Sequence, residues 1–149
     1  MKRIFLLLWG LAMSTMLLSQ NSPTTKEREV QQTVINFFEA ISNRDSTTLK
    51  KYMTADIELL EYGSLWNADT LIKKAIKSNT SSDFIRKNTF NFLSTHVHKK
   101  TAWLTYHLYS DITKDRNQSS VHWLETVVVI KEKKSWKIKL LHSTLISRT

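Results

Sequence analysis

An α+β domain, helices first and sheet second, is the fold class this sequence predicts. Two observations lead there. Apolar residues recur at helical spacing across 26–42 and again after Asn67, whereas from Phe84 onward the period drops to two. The four period-two segments, 86–98, 101–113, 120–132 and 135–147, are joined only through Lys99-Lys100, 114–118 and Lys133-Lys134. Links that short make neighbouring strands antiparallel, so the segments form a meander. Three helices followed by such a sheet cover one of its faces.

The chain opens on Lys2 and Arg3, then an almost wholly apolar run at 4–18. Fifteen residues at a rise of about 1.5 Å span about 22 Å, short of a hydrocarbon core of ~30 Å. Ser14, Thr15 and Ser19 dilute the run further. Residues 1–20 are read as a secretory signal peptide cut near Ser19 or Gln20, the alternative being an uncleaved anchor. The expectation is an exported protein, periplasmic or secreted, with no transmembrane span in the mature chain and one domain over 25–147.

Thr24 and Glu27 have capping-box spacing, and Val30, Val34, Phe37, Phe38 and Ile41 make one apolar face of a helix over 26–42. Asn43-Arg44-Asp45 is a turn, after which Ser46 caps a short second helix with Leu49, Tyr52 and Met53 inward. A short strand runs over 57–62 and ends at Gly63. Asn67 caps a third helix whose buried stripe is Leu71, Ile72, Ala75 and Ile76.

Composition excludes several function classes. The 149 residues contain no cysteine, which removes disulfides, thiolate metal sites and a cysteine nucleophile. The two glycines cannot build a dinucleotide fingerprint, a P-loop or a nucleophile elbow. No cofactor is expected. Without Lys2 and Arg3, 20 of the 22 basic residues remain against 13 acidic ones, a charge of +7. Dispersed lysine pairs read as a solvated face, and export argues against a nucleic-acid partner. His96 and His98 share a strand face beside Lys99 and Lys100, which oppose a cation, so no metal site is expected.

Cross-strand arithmetic locates a pocket. With Lys133-Lys134 as a two-residue turn, paired positions sum to 267. Val129 then faces Ile138, Val127 faces Leu140, Glu125 faces His142, and Trp123 faces Thr144, all on the helix-covered side. Around Lys99-Lys100 the sum is 199. One face holds Leu93, Thr95, Val97, Ala102, Leu104, Tyr106 and Leu108, and is taken as inner. The other holds Phe90, Phe92, Ser94, His96, Trp103, Thr105, His107 and Tyr109. That face is too aromatic for plain solvent and predicts a homodimer through Phe92, Trp103, His107 and Tyr109.

The helix at 26–42, the segments 45–53 and 57–67, the capped third helix and four strands together resemble the SnoaL-like superfamily. This is the nuclear transport factor 2-like and ketosteroid isomerase-like fold. Its last two strands are especially similar to Trp123-Leu124-Glu125-Thr126-Val127-Val128-Val129-Ile130-Lys131, to Trp136-Lys137-Ile138 and to Leu141-His142-Ser143-Thr144. The segment 66–72 resembles exported bacterial members of unassigned function. The resemblance implies a cone-shaped, curved antiparallel sheet closed by helices. Lys133-Lys134 departs from the Asp-Gly usual in such hairpins. Ketone isomerases and cyclases of the superfamily carry a pocket carboxylate base with acid donors opposite, and no such set matches here residue by residue.

Glu125 and His142 are the sharpest candidates, a carboxylate that would orient an imidazole and raise its basicity. Tyr106 would add a phenolic donor for a carbonyl oxygen. The alternative is a polar pair that fixes strand register. Glu61, Tyr62 and Trp66 fall where the first strand and third helix line the mouth. The ligand-binding set is Tyr62, Trp66, Tyr106, Trp123, Glu125, His142 and Thr144. Three functions fit: binding of a small apolar or amphipathic ligand without catalysis, an isomerase, cyclase or hydrolase using Glu125 and His142 with Tyr106, or a protein-interaction domain working through its outer sheet.

Overall fold

The computed structural model describes residues 22–149. The expected signal peptide at 1–20 lies outside the described residues. No helix among the described residues is long and apolar enough to cross a membrane.

Helix α1 (Thr25–Ser42) begins at the expected capping box. Thr24 N donates to Glu27 Oε2 at 2.6 Å, and Glu27 N donates to Thr24 Oγ1 at 3.3 Å. Its face Val30, Val34, Phe37, Phe38 and Ile41 is buried. Helix α2 (Ser46–Leu49) is capped by Asp45 and not by Ser46, because the longer side chain reaches two amides, Thr47 N and Thr48 N, at 3.0 and 2.9 Å. Strand β1 (Met53–Glu61) starts four residues earlier than expected and turns through Tyr62-Gly63 into β2 (Ser64–Trp66). Both turn residues have positive φ, 50° and 71°, which the glycine accepts without strain. Asn67 caps α3 (Ala68–Leu71) as expected, and the helix loosens at once into a π-helical stretch over Ile72–Lys77.

Four long strands follow: β3 (Ile85–His98), β4 (Thr101–Lys114), β5 (Asn117–Glu132) and β6 (Ser135–Arg148). Each matches the expected segment to within a few residues. They form one curved sheet in the order β2-β1-β6-β5-β4-β3. The sheet is mixed, since β1 runs parallel to β6 while every other pair is antiparallel. Helix α1 packs against β3 and β6 and closes the cone.

Both lysine pairs form the turns, so the registers near them are those of the arithmetic: Val129 opposite Ile138, and Val97 opposite Ala102. Bulges then shift them by one residue. On β3 the extra residue is Leu93, between Phe92 opposite Tyr106 and Ser94 opposite Thr105. Phe90 and Phe92 therefore face inward and pack on the core, and Leu93, expected inside, is 54% exposed. On β6 the extra residue is Lys139. Beyond it Val127 faces Leu141, Glu125 faces Ser143, and Trp123 faces Leu145. His142 and Thr144 are thus exposed on the outer side, not in the cone. A third bulge, at Ile146, lies just before the last two paired residues of β6, Ser147 and Arg148. Such extra residues increase local twist and bend a sheet, as a cone requires.

Candidate functional site

The inner face of the sheet and the helices enclose a cavity of about 570 Å³. Phe38 of α1, Phe84, Ile112 of β4 and Trp123 of β5 make its apolar walls, and Tyr62 and Trp66 stand at its mouth. Their rings lie 6.3 Å apart. Four polar side chains reach into this apolar space: Glu61 at the end of β1, Arg86 on β3, Glu125 on β5 and Ser143 on β6.

Glu125 is 3% exposed. Strand β5 alternates Val121, Trp123, Glu125, Val127 and Val129 inward, so the carboxyl occupies a core position. The Ser143 hydroxyl joins the two acids, 2.7 Å from Glu61 Oε1 and 3.0 Å from Glu125 Oε1. Glu125 Oε2 is buried without a hydrogen-bond partner. Burial lifts the Glu125 pKa from its ordinary value to about 7; Tyr106 draws it down, Glu61 pushes it up, and Ser143 and Arg86 draw it down. Burial likewise raises Glu61, against its bond to Ser143 and the charges of Arg86 and His142. Two acids sharing one hydroxyl are a coupled pair. Serine has a single proton to give, so it serves one carboxylate at a time, and a proton held by one acid relieves the repulsion between the two.

Arg86 is the cation of the site. Its Nε donates to Asn88 Oδ1 at 2.9 Å and to Ser110 Oγ at 3.2 Å, and Asn88 is tied in turn to Ser42 of α1 at 2.8 Å. The guanidinium carbon lies 5.7 Å from the Phe38 ring centre and 5.4 Å from that of Trp123. Burial lowers the Arg86 pKa, and the nearby Glu125 and Glu61 charges oppose the shift. The guanidinium is held by aromatic faces and an anchored Nε, so a donor stands ready beside the two acids.

Of the sequence candidates, Tyr62, Trp66, Trp123 and Glu125 line the cavity. Tyr106 stands behind Glu125 as its cross-strand partner, fully buried and not part of the cavity wall. Its hydroxyl has no hydrogen-bond partner of acceptable geometry, and burial followed by the Glu125 charge holds the phenol protonated. His142 and Thr144 do not belong to the site, because the Lys139 bulge turns both outward. The Glu125–His142 pair does not form; His142 lies opposite Thr126. Ser143 and Arg86 were missed. Arg86 shares its alternation with Asn88, Phe90 and Phe92, and taking that aromatic pair as inner would have placed it in the cone. Among the described residues no three His, Asp or Glu side chains gather as a metal site.

The outer face carries its own cluster. His107 Nδ1 and His122 Nε2 are 2.8 Å apart, Tyr109 stacks on His122 at 4.3 Å, and His96 stacks on Trp103 at 5.3 Å. Trp103 and Tyr109 are 44% and 42% exposed. Phe92, expected among them, faces the interior.

A curved sheet closed by an N-terminal helix around one polar-floored cavity defines a cone-shaped pocket protein. The chain belongs to the SnoaL-like domain family, whose model matches residues 30–147. Solved structures agree on the fold. A conserved protein from Planctomyces limnophilus DSM 3776 is 14% identical with a TM-score of 0.73, covering 81% of this chain and 98% of that one. A ketosteroid isomerase-like protein from Erwinia carotovora atroseptica SCRI1043 is 13% identical with a TM-score of 0.67, covering 83% and 98%. An NTF2-like protein from Cytophaga hutchinsonii ATCC 33406 is 12% identical with a TM-score of 0.67, covering 83% and 100%. No curated protein matches the chain.

Proposed function

We propose that the cone binds a small, mainly apolar molecule whose polar oxygen group docks beside Glu125. One observation carries this reading: the Glu61 and Glu125 carboxyls, joined through the Ser143 hydroxyl, line an otherwise aromatic cavity together with Arg86. Polar groups facing an apolar cavity are costly without hydrogen-bond partners, and a ligand hydroxyl or carbonyl reaching these side chains would supply one. The cavity volume suits a compact two- or three-ring molecule. Fluorescence titration with 2-naphthol tests the idea through Trp66 and Trp123. Saturable binding that is abolished when Ala75→Trp fills the cavity is expected. Absent binding, or binding indifferent to Ala75→Trp, sinks the reading.

A second reading is proton transfer, and the Glu125 pKa of about 7 favours it. A base poised near the working pH abstracts and returns protons efficiently, and Arg86 supplies a cation for an oxyanion. Hydrogen–deuterium exchange at the carbon beside the carbonyl of 2-tetralone requires no knowledge of the natural reaction. The protein should accelerate it, with a rate that rises with pH through about 7, and Glu125→Gln should lose the acceleration. No acceleration above buffer leaves only the binding reading.

The address and assembly are part of the same proposal. Lys2, Arg3 and the apolar run at 4–18 support export, and the protein recovered from the cell envelope should lack about twenty N-terminal residues. The exposed Trp103 and Tyr109 beside His107 support a dimer through the outer sheet.

A further inference from the structure

We propose that the ligand is an amphipathic anion, with an apolar body, a hydroxyl at its inner end and a carboxylate or similar anionic group at its outer end. The proposal rests on the binding reading above and adds the chemistry of the mouth. Three cations wall that mouth: Lys74 on the π-helical stretch, Lys114 at the end of β4 and Arg148 at the end of β6. All three are exposed, and among the described residues none pairs with a carboxylate. Lys74 Nζ is held 4.3 Å from the centre of the Trp66 ring, and Arg148 Nη2 lies 3.5 Å from Tyr62 Oη. Asp115 is the one acid among the exposed lining residues. The other two acids of the wall, Glu61 and Glu125, are joined through Ser143 on the floor, where Arg86 already offsets their charge.

Charge in this cavity is therefore sorted by depth. The floor offers the joined carboxyls of Glu61 and Glu125, the middle is aromatic, and the rim carries three cations against one acid. A neutral apolar molecule leaves the rim unused. A cationic one meets repulsion on entry. A molecule with a hydroxyl inward and an anion outward satisfies both ends, and the rim cations also raise its local concentration at the mouth.

The test compares molecules that differ only in the outer anion, with the chain lacking residues 1–20. One pair is 6-hydroxy-2-naphthoate and 2-naphthol. A longer pair, 4′-hydroxybiphenyl-4-carboxylate and 4-phenylphenol, covers a deeper floor. In low salt the acid of at least one pair should bind about tenfold more tightly than its neutral partner, since each exposed charge contact contributes a few-fold. In the triple variant K74Q/K114Q/R148Q that ratio should fall to about one, as it should for wild type in about 0.5 M salt. An unchanged thermal unfolding curve establishes that the variant is folded. Equal binding of acid and neutral partner by the wild type overturns the proposal while leaving the cavity reading intact. So does a preference that survives in the variant. Failure of all four molecules to bind overturns both.

Discussion

Ser143 stands directly opposite Glu125 across the β5–β6 ladder, its hydroxyl 3.0 Å from Glu125 Oε1. The same hydroxyl is 2.7 Å from Glu61 Oε1. Two strands far apart in sequence, β1 and β5, thus bring carboxyls onto one donor supplied by the strand between them. The consequences are measurable.

Stability should depend on pH through Glu125. The carboxyl holds its proton up to about pH 7 when folded, against an ordinary value of 4.5 when unfolded. Between those values the folded state binds the additional proton, so its contribution is complete below about pH 4.5 and is lost as pH rises through about 7. The loss amounts to roughly 3 kcal/mol. Urea midpoints at about pH 4.5 and pH 8 should converge in Glu125→Gln relative to wild type. An equal pH slope in both proteins would contradict the assignment.

Ser143→Ala should move the apparent pKa values of the acid pair upward, because the serine bond lowers both carboxyls. Carbon-detected NMR of the glutamate carboxyls reads this directly. A downward shift, or none, would mean that the serine does not stabilise the charged forms.

The Leu93 bulge predicts opposite fates for two adjacent residues. Phe92→Ala should destabilise by about 2–3 kcal/mol, since the ring lies 5.8 Å from that of Phe90 and 5.4 Å from that of Tyr106. Leu93→Lys should change stability by less than about 0.5 kcal/mol. Chemical denaturation of both variants decides it, and the reverse ranking would restore the unbulged register.

The proposed outer-face dimer should dissociate when Trp103 or Tyr109 is replaced by Glu, because a charge at the centre of an apolar contact is left desolvated. Light scattering after size exclusion gives the mass. A wild-type monomer, or a dimer indifferent to both changes, removes that face as the contact.

Much of this architecture is legible in the residues. The capping box at Thr24 and Glu27, the Asn67 cap and the lysine turns each mark an element boundary by local chemistry. Turn-proximal pairings such as Val129 with Ile138 follow by counting. What counting cannot reach is the extra residue. Leu93 is apolar and Lys139 is charged, and neither residue type announces a bulge. Counting places Glu125 on the inner face, but the bulge makes its cross-strand partner residue 143 and not 142. Arg86 was hidden differently: beside Lys87 it looks like surface charge, and only the inward alternation with Phe90 and Phe92 reveals it.

The sheet order also governs when the pocket can exist. Strand β6 lies between β1 and β5, yet it is the last of the six to leave the ribosome. Until it arrives, β1 and β2 have no neighbour on their inner side, and Glu61 waits some eighty residues for Ser143. Closure of so long a loop is entropically slow, and it ends in the step that completes the cavity. A ligand that requires the finished floor therefore reports on the final act of folding, and its capture would hold the closing strand in place.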